Sequence, residues 1–167
     1  MVDTASRDQL FGLAEACRRS AEAISRAMLD VDDADWDEPL RAAHQERIDL
    51  YEICIRCLID TGVSPAVIRD GLAAPHARVP ADRAGTVRAV LGSEIELEAA
   101  LRLALANPRW ADHALGEALA LYLLKSLAFR RQFVVLAEQV DEELVGSSAM
   151  GRWTAATPAL AAAGAGG

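Results

Sequence analysis

The stretch SEIELEAALRLALA, residues 93–106, decides how this chain is read. Leu97, Leu101 and Leu105 recur every four residues. Extended backwards, the stripe takes in Val87, Val90 and Leu91, the pattern of one apolar helix face. At about 100° per residue, Glu94 and Glu98 fall inside it. A carboxylate held away from water without a partner is costly, so each must take up a proton, meet a cation or bind a metal. A break in the helix is the alternative. Gly92 precedes Ser93, and Ser93-x-x-Glu96 has the spacing of a capping box, which would set Glu94 at the positive end of a new helix with no need of a partner. The apolar phase is unbroken from Val87 to Leu105, and this favours one continuous helix over Asp82–Ala106 with both carboxylates turned inward.

The segments on either side also read as helices. Leu10, Ala14, Cys17, Ala21, Ile24 and Met28 alternate in steps of four and three, a packed seam running from about Thr4 to Asp30. Glu15–Arg19, Arg18–Glu22 and Glu22–Arg26 are i,i+4 pairs on its outside. Asp37-Glu38-Pro39 supplies a cap, a first-turn acid and an early proline for a second long helix, which stops at Thr61-Gly62. The acidic run before it, DVDDADWDEP, lacks the sixth-position glycine and closing glutamate of a calcium loop. Ser64-Pro65 caps a short helix to about Leu72. Residues 73–82 form a proline-punctuated loop. Asn107-Pro108 ends the third long helix and opens a fourth, to Val145, with Gly116 its weak point and Gly146 beyond its end. The predicted fold is all-α: an antiparallel four-helix bundle over residues 1–146 with one short extra helix, followed by a flexible, disordered Ala/Gly-rich C-terminal tail over 147–167.

Composition narrows the function classes. The chain has 167 residues, 52% hydrophobic and only 5% aromatic, with a formal net charge of −8. Nucleic acid and anionic membranes need a basic patch, so neither is expected as a partner. No apolar run approaches the ~20 residues of a membrane span, and the N-terminus lacks the pattern of an export signal. Three cysteines, an odd number, in a chain large enough to fold without cross-links suit a reducing cytoplasm. The segment ALALYLLKSLAF (118–129) of the fourth long helix is apolar nearly all round. Such a helix is central or covered by a second subunit, so a homo-oligomer through this helix is expected.

Three readings compete for Glu94 and Glu98. In the first they are buried ion pairs: Arg102 stands i,i+4 from Glu98, and Arg47 or Arg130 reaches inward to Glu94. In the second they line a subunit interface or wet groove. In the third they hold a metal. Carboxylates one turn apart on an inward face resemble those of ferritin-like di-iron bundles, which take a glutamate from each of two helices and a Glu-x-x-His from each of the other two. That resemblance implies an iron- or manganese-binding protein or oxidoreductase, with His44, the inward histidine, as a further ligand. The chain departs from the pattern, since it contains no Glu-x-x-His and Glu15 and Glu22 face outward.

Cys54 and Cys57 form a C-x-x-C within the second long helix, away from a helix N-terminus that would lower a thiol pKa. All-helical peroxidases of the alkylhydroperoxidase type place a histidine four residues after the second cysteine; here position 61 is Thr. With Cys17 facing the core from the first helix, the three thiols form a candidate redox or Cu(I) site, although copper-storing four-helix bundles carry many more thiols. His113 and Glu117 form an isolated H-x-x-x-E, and His76 stands in a proline-rich loop. Phosphate- and dinucleotide-binding fingerprints and nucleophile elbows are absent from the sequence. The residues therefore point first to a non-catalytic interaction or assembly protein that works as an oligomer, with Met150, Trp153 and Leu160 of the tail as docking residues for a protein partner. The carboxylate-metal protein and the thiol or copper bundle stand as alternatives.

Overall fold

A computed structural model describes residues 4–30, 34–73, 82–111 and 114–155, with side chains in the last stretch through Gln139. The described residues form six helices and no strand: α1 Thr4–Asp30, α2 Ala34–Asp60, α3 Pro65–Gly71, α4 Arg83–Leu105, α5 Pro108–Ala111 and α6 Ala114–Ala155. The four long ones make the bundle. Helix α1 packs between α2 and α4, and α4 also packs on α6, while α2 and α6 approach each other less closely.

Two apolar clusters set the helix directions. One joins Leu10, Leu13 and Cys17 of α1 to Cys54 and Leu58 of α2, Leu97 and Leu101 of α4, and Leu119 of α6. The other joins Ile24 and Ala27 to Leu40 and Ala43, Val87 and Val90, and Phe129, Phe133 and Leu136. The start of α1 therefore lies beside the ends of α2 and α4 and the start of α6. Neighbouring helices are antiparallel, and α2 and α4 run the same way, so the chain between them must return along the bundle. At the second cluster, Trp36 meets Phe133 edge-on with ring centroids 5.4 Å apart, and Phe129 stacks on Phe133 at the same distance, which ties α2 to α6 across their wider seam.

The helix ends follow from local chemistry. Helix α2 stops in a Schellman turn. Val63 N–H donates to the Leu58 carbonyl at 3.0 Å and Gly62 N–H to the Ile59 carbonyl at 2.8 Å, with Gly62 at φ +85°, a conformation that favours glycine. Ser64 caps α3 by accepting from Val67 N–H, and Asp82 caps α4 by accepting from Gly85 N–H at 2.6 Å. Asn107 Oδ1 accepts from Arg109 N–H, while its amide donates to Ser6 and Gln9 of α1.

Helix α4 passes straight through Gly92 and Ser93. The Ser93 hydroxyl donates back to the Val90 carbonyl at 2.8 Å, so it bonds the preceding turn instead of capping a new helix.

Some boundaries differ from expectation. Helix α2 begins at Ala34, ahead of Asp37, and holds Pro39 in its second turn. So near the N-terminus, the missing N–H forfeits only the bond to the Asp35 carbonyl. The expected fourth long helix divides into α5 and α6, and Gly116 lies inside the first turn of α6. Helix α6 also runs on past Gly146 to Ala155. Its 42 residues, against 27 in α1, make it about 63 Å long against about 40 Å. The docking residues expected in the tail fall outside the described residues: Leu160 entirely, and Met150 and Trp153 in their side chains. His76 and His113 fall outside as well.

Candidate functional site

The centre of the bundle, between the two apolar clusters, is a polar layer to which each long helix gives one side chain. Glu94 of α4 is fully buried (0% exposed), as is Arg47 of α2. Glu94 Oε1 accepts from Arg47 Nε at 3.0 Å and from the Ser20 hydroxyl of α1 at 2.5 Å. Its Oε2 accepts from Arg47 Nη2 at 2.7 Å and from the Ser126 hydroxyl of α6 at 2.7 Å. The pair is bidentate, and each carboxylate oxygen receives two donors. This arrangement offsets the desolvation that makes an unpartnered buried charge so unfavourable.

The remaining arginine surface is also covered. The guanidinium carbon lies 5.7 Å from the centroid of the Phe129 ring, within cation–π range. Nη1 donates to Glu46 at 3.4 Å, and Glu46 in turn meets Lys125 Nζ at 3.0 Å on the α2–α6 seam. Charge therefore alternates from the core to the surface along Glu94, Arg47, Glu46 and Lys125.

Glu98, one turn on, is answered by Arg130 of α6. Their charged atoms are 2.5 Å apart, but Arg130 Nε and Glu98 Oε1 do not form an aligned hydrogen bond, so the contact is one of opposite charges. The expected partners are thus redistributed. Arg47 holds Glu94, Arg130 meets Glu98 and not Glu94, and Arg102, expected beside Glu98, is exposed. The register explains this, because α6 presents Arg130 to the face of α4 that carries Glu98, whereas Arg102 lies on the solvent side.

These contacts give the metal reading no support. Both oxygens of Glu94 are occupied by protein donors, and Glu98 faces a cation. His44 lies elsewhere, half-buried in a groove between α1 and α2 with Arg18, Glu22, Ser25, Ile48 and Tyr51. Among the described residues, no three His, Cys, Asp or Glu side chains gather as a metal site would require. The ferritin-like arrangement with Glu94, Glu98 and His44 as ligands is not supported.

The thiols divide differently from expectation. Cys17 and Cys54 are buried side by side between α1 and α2, and Cys57 is only half-buried. The hydrogen bond to Cys17, followed by burial, pushes the Cys54 thiol well above its ordinary range. Burial and then the neighbouring Cys54 raise Cys57. Raised thiols hold little thiolate at neutral pH and are poor nucleophiles. Cys17, Cys54 and Cys57, expected as a single copper or redox centre, are not gathered as one cluster among the described residues.

Sequence reading missed Ser20 and Ser126. Their signal was available: Ser20 lies on the inward stripe of α1 between Cys17 and Ile24, and Ser126 lies in a segment apolar but for its neighbour Lys125.

The outside of α6 is the other unusual surface. Leu121, Leu124 and Val135 are 52%, 65% and 52% exposed. They share a narrow solvent-facing stripe with Glu117, Ala128 and Arg131, spaced by alternating steps of four and three. No helix among the described residues is long and apolar enough to cross a membrane.

No protein-family model matches this chain, and no curated protein or solved structure matches it.

Proposed function

We propose that this chain is a non-catalytic assembly protein of the cytoplasm, a helical bundle that works by self-association through α6. The exposed stripe of Leu121, Leu124, Ala128 and Val135 carries the reading. Apolar residues at heptad-like spacing on the solvent side of a long helix are the pattern of a helix–helix seam. The interior supports it in a second way. The carboxylate that sequence reading singled out for chemistry is saturated by protein donors, and two of the three thiols are sealed in the core. Free thiols suit a reducing compartment.

Light scattering at tens of micromolar tests the proposal. More than one copy per particle is expected, and a monomer would contradict it. Stoichiometric iron, manganese or copper in protein purified without an affinity tag would contradict the non-catalytic part.

A further inference from the structure

Resting on that reading, we infer that the partner on α6 is the α6 of a second copy of this chain, packed antiparallel about a two-fold axis near Leu124. The charges on the stripe carry the argument. Between Glu117 and Arg131 it is apolar at Leu121, Leu124 and Ala128, and the two charged residues that bound it are both exposed and opposite in sign.

Two copies laid parallel would set Glu117 beside the partner's Glu117 and Arg131 beside the partner's Arg131, both unfavourable. Laid antiparallel and centred on Leu124, each Glu117 falls within about one helical turn of the partner's Arg131, and the same favourable pair forms twice. The leucines then close on one another at the middle, with Ala128 leaving room for a leucine from the facing helix. Closed two-fold symmetry is also the commonest form of association between identical chains.

The charge balance of this face suits self-association. The chain carries a formal charge of −8, so two copies repel in general, yet this seam balances one acid with one base. The two-fold sets acid against base instead of stacking acid on acid.

Charge reversal tests the arrangement, with the dissociation constant measured by dilution in sedimentation equilibrium. Glu117→Arg and Arg131→Glu, each alone, are expected to weaken the dimer about tenfold by replacing two attractive contacts with two repulsive ones. The double variant should restore the wild-type constant, because swapping both signs recovers the antiparallel pairing. In a parallel dimer the swap leaves like charges facing like, so single variants without weakening, or a double variant without rescue, would overturn the inference while leaving self-association intact. Leu124→Asp gives an independent check. It is expected to yield a monomer with an unchanged helical spectrum, and a dimer that survives it places the seam elsewhere. A wild-type chain that is monomeric throughout would overturn the self-association reading itself, and the pairing with it.

Discussion

Arg47 on α2 grips both oxygens of Glu94 on α4, at 3.0 and 2.7 Å, with neither side chain exposed. The two helices are diagonal in the bundle, so the contact crosses its axis. Ser20 and Ser126 complete it from the other diagonal. A layer that needs one residue at one height from every long helix is satisfied in a single register only. Buried polar groups are known to fix register in coiled coils, and this layer has the form to do the same here. It sits where the two apolar clusters meet.

The serines are expected to matter individually. Each donates to a charged acceptor, so Ser20→Ala or Ser126→Ala should cost about 1.5–3 kcal/mol. The measurement is the urea midpoint with the slope held constant. A loss below about 0.5 kcal/mol for both would show that the hydroxyls are incidental to the layer.

Stability is expected to fall on the alkaline side. Below the ordinary thiol pKa of about 8.5, folded and unfolded chains both hold the Cys54 proton, and the group has no effect on the pH dependence. Above it the unfolded chain gives up the proton while the folded chain keeps it, because hydrogen bonding to Cys17 and burial raise Cys54. The unfolded state then binds fewer protons, and stability drops by up to about 1.4 kcal/mol per pH unit until the folded pKa is passed. Cys57, raised mainly by burial, acts in the same direction. Urea unfolding between pH 7 and 10 should show the decline, and Cys54→Ala should make it shallower. An identical slope in that variant would contradict the assignment.

Two glycines give opposite expectations. Gly92 is exposed within α4, and a Cβ there would meet nothing within 4 Å. Gly92→Ala should therefore stabilise the fold by about 0.5–1 kcal/mol. Gly62, with φ +85° at the end of α2, should lose about 1–2 kcal/mol on the same change. Thermal or urea unfolding of both variants checks the pair. A destabilised Gly92→Ala protein would mean that α4 is interrupted there.

The long helices were legible because their apolar residues keep one phase over many turns, and the stop at Gly62 because only glycine suits its backbone. The inward turn of Glu94 was legible for the same reason, since it shares the phase of Val87 and Leu101. Which arginine would answer which glutamate was not. That depends on the relative height of α2, α4 and α6, which is set by packing and not by periodicity within any one helix. His44 was misplaced because the apolar arc of α2 is wide enough to include the rim toward α1. The start of α2 was misread because a proline near a helix N-terminus is tolerated at several positions. The division between α5 and α6 left no mark beyond Pro108, which opens a helix without saying how far it continues.

A double-mutant cycle between positions 47 and 94, followed by urea denaturation, tests most directly the claim that the central carboxylate serves structure and not chemistry. Arg47→Met and Glu94→Leu, each alone, should cost about 3–5 kcal/mol by leaving an unpaired buried charge. Together they should cost far less than the sum of the two, because the apolar pair leaves no charge stranded. Two small, additive losses would contradict the account and return Glu94 to the set of groups free to act.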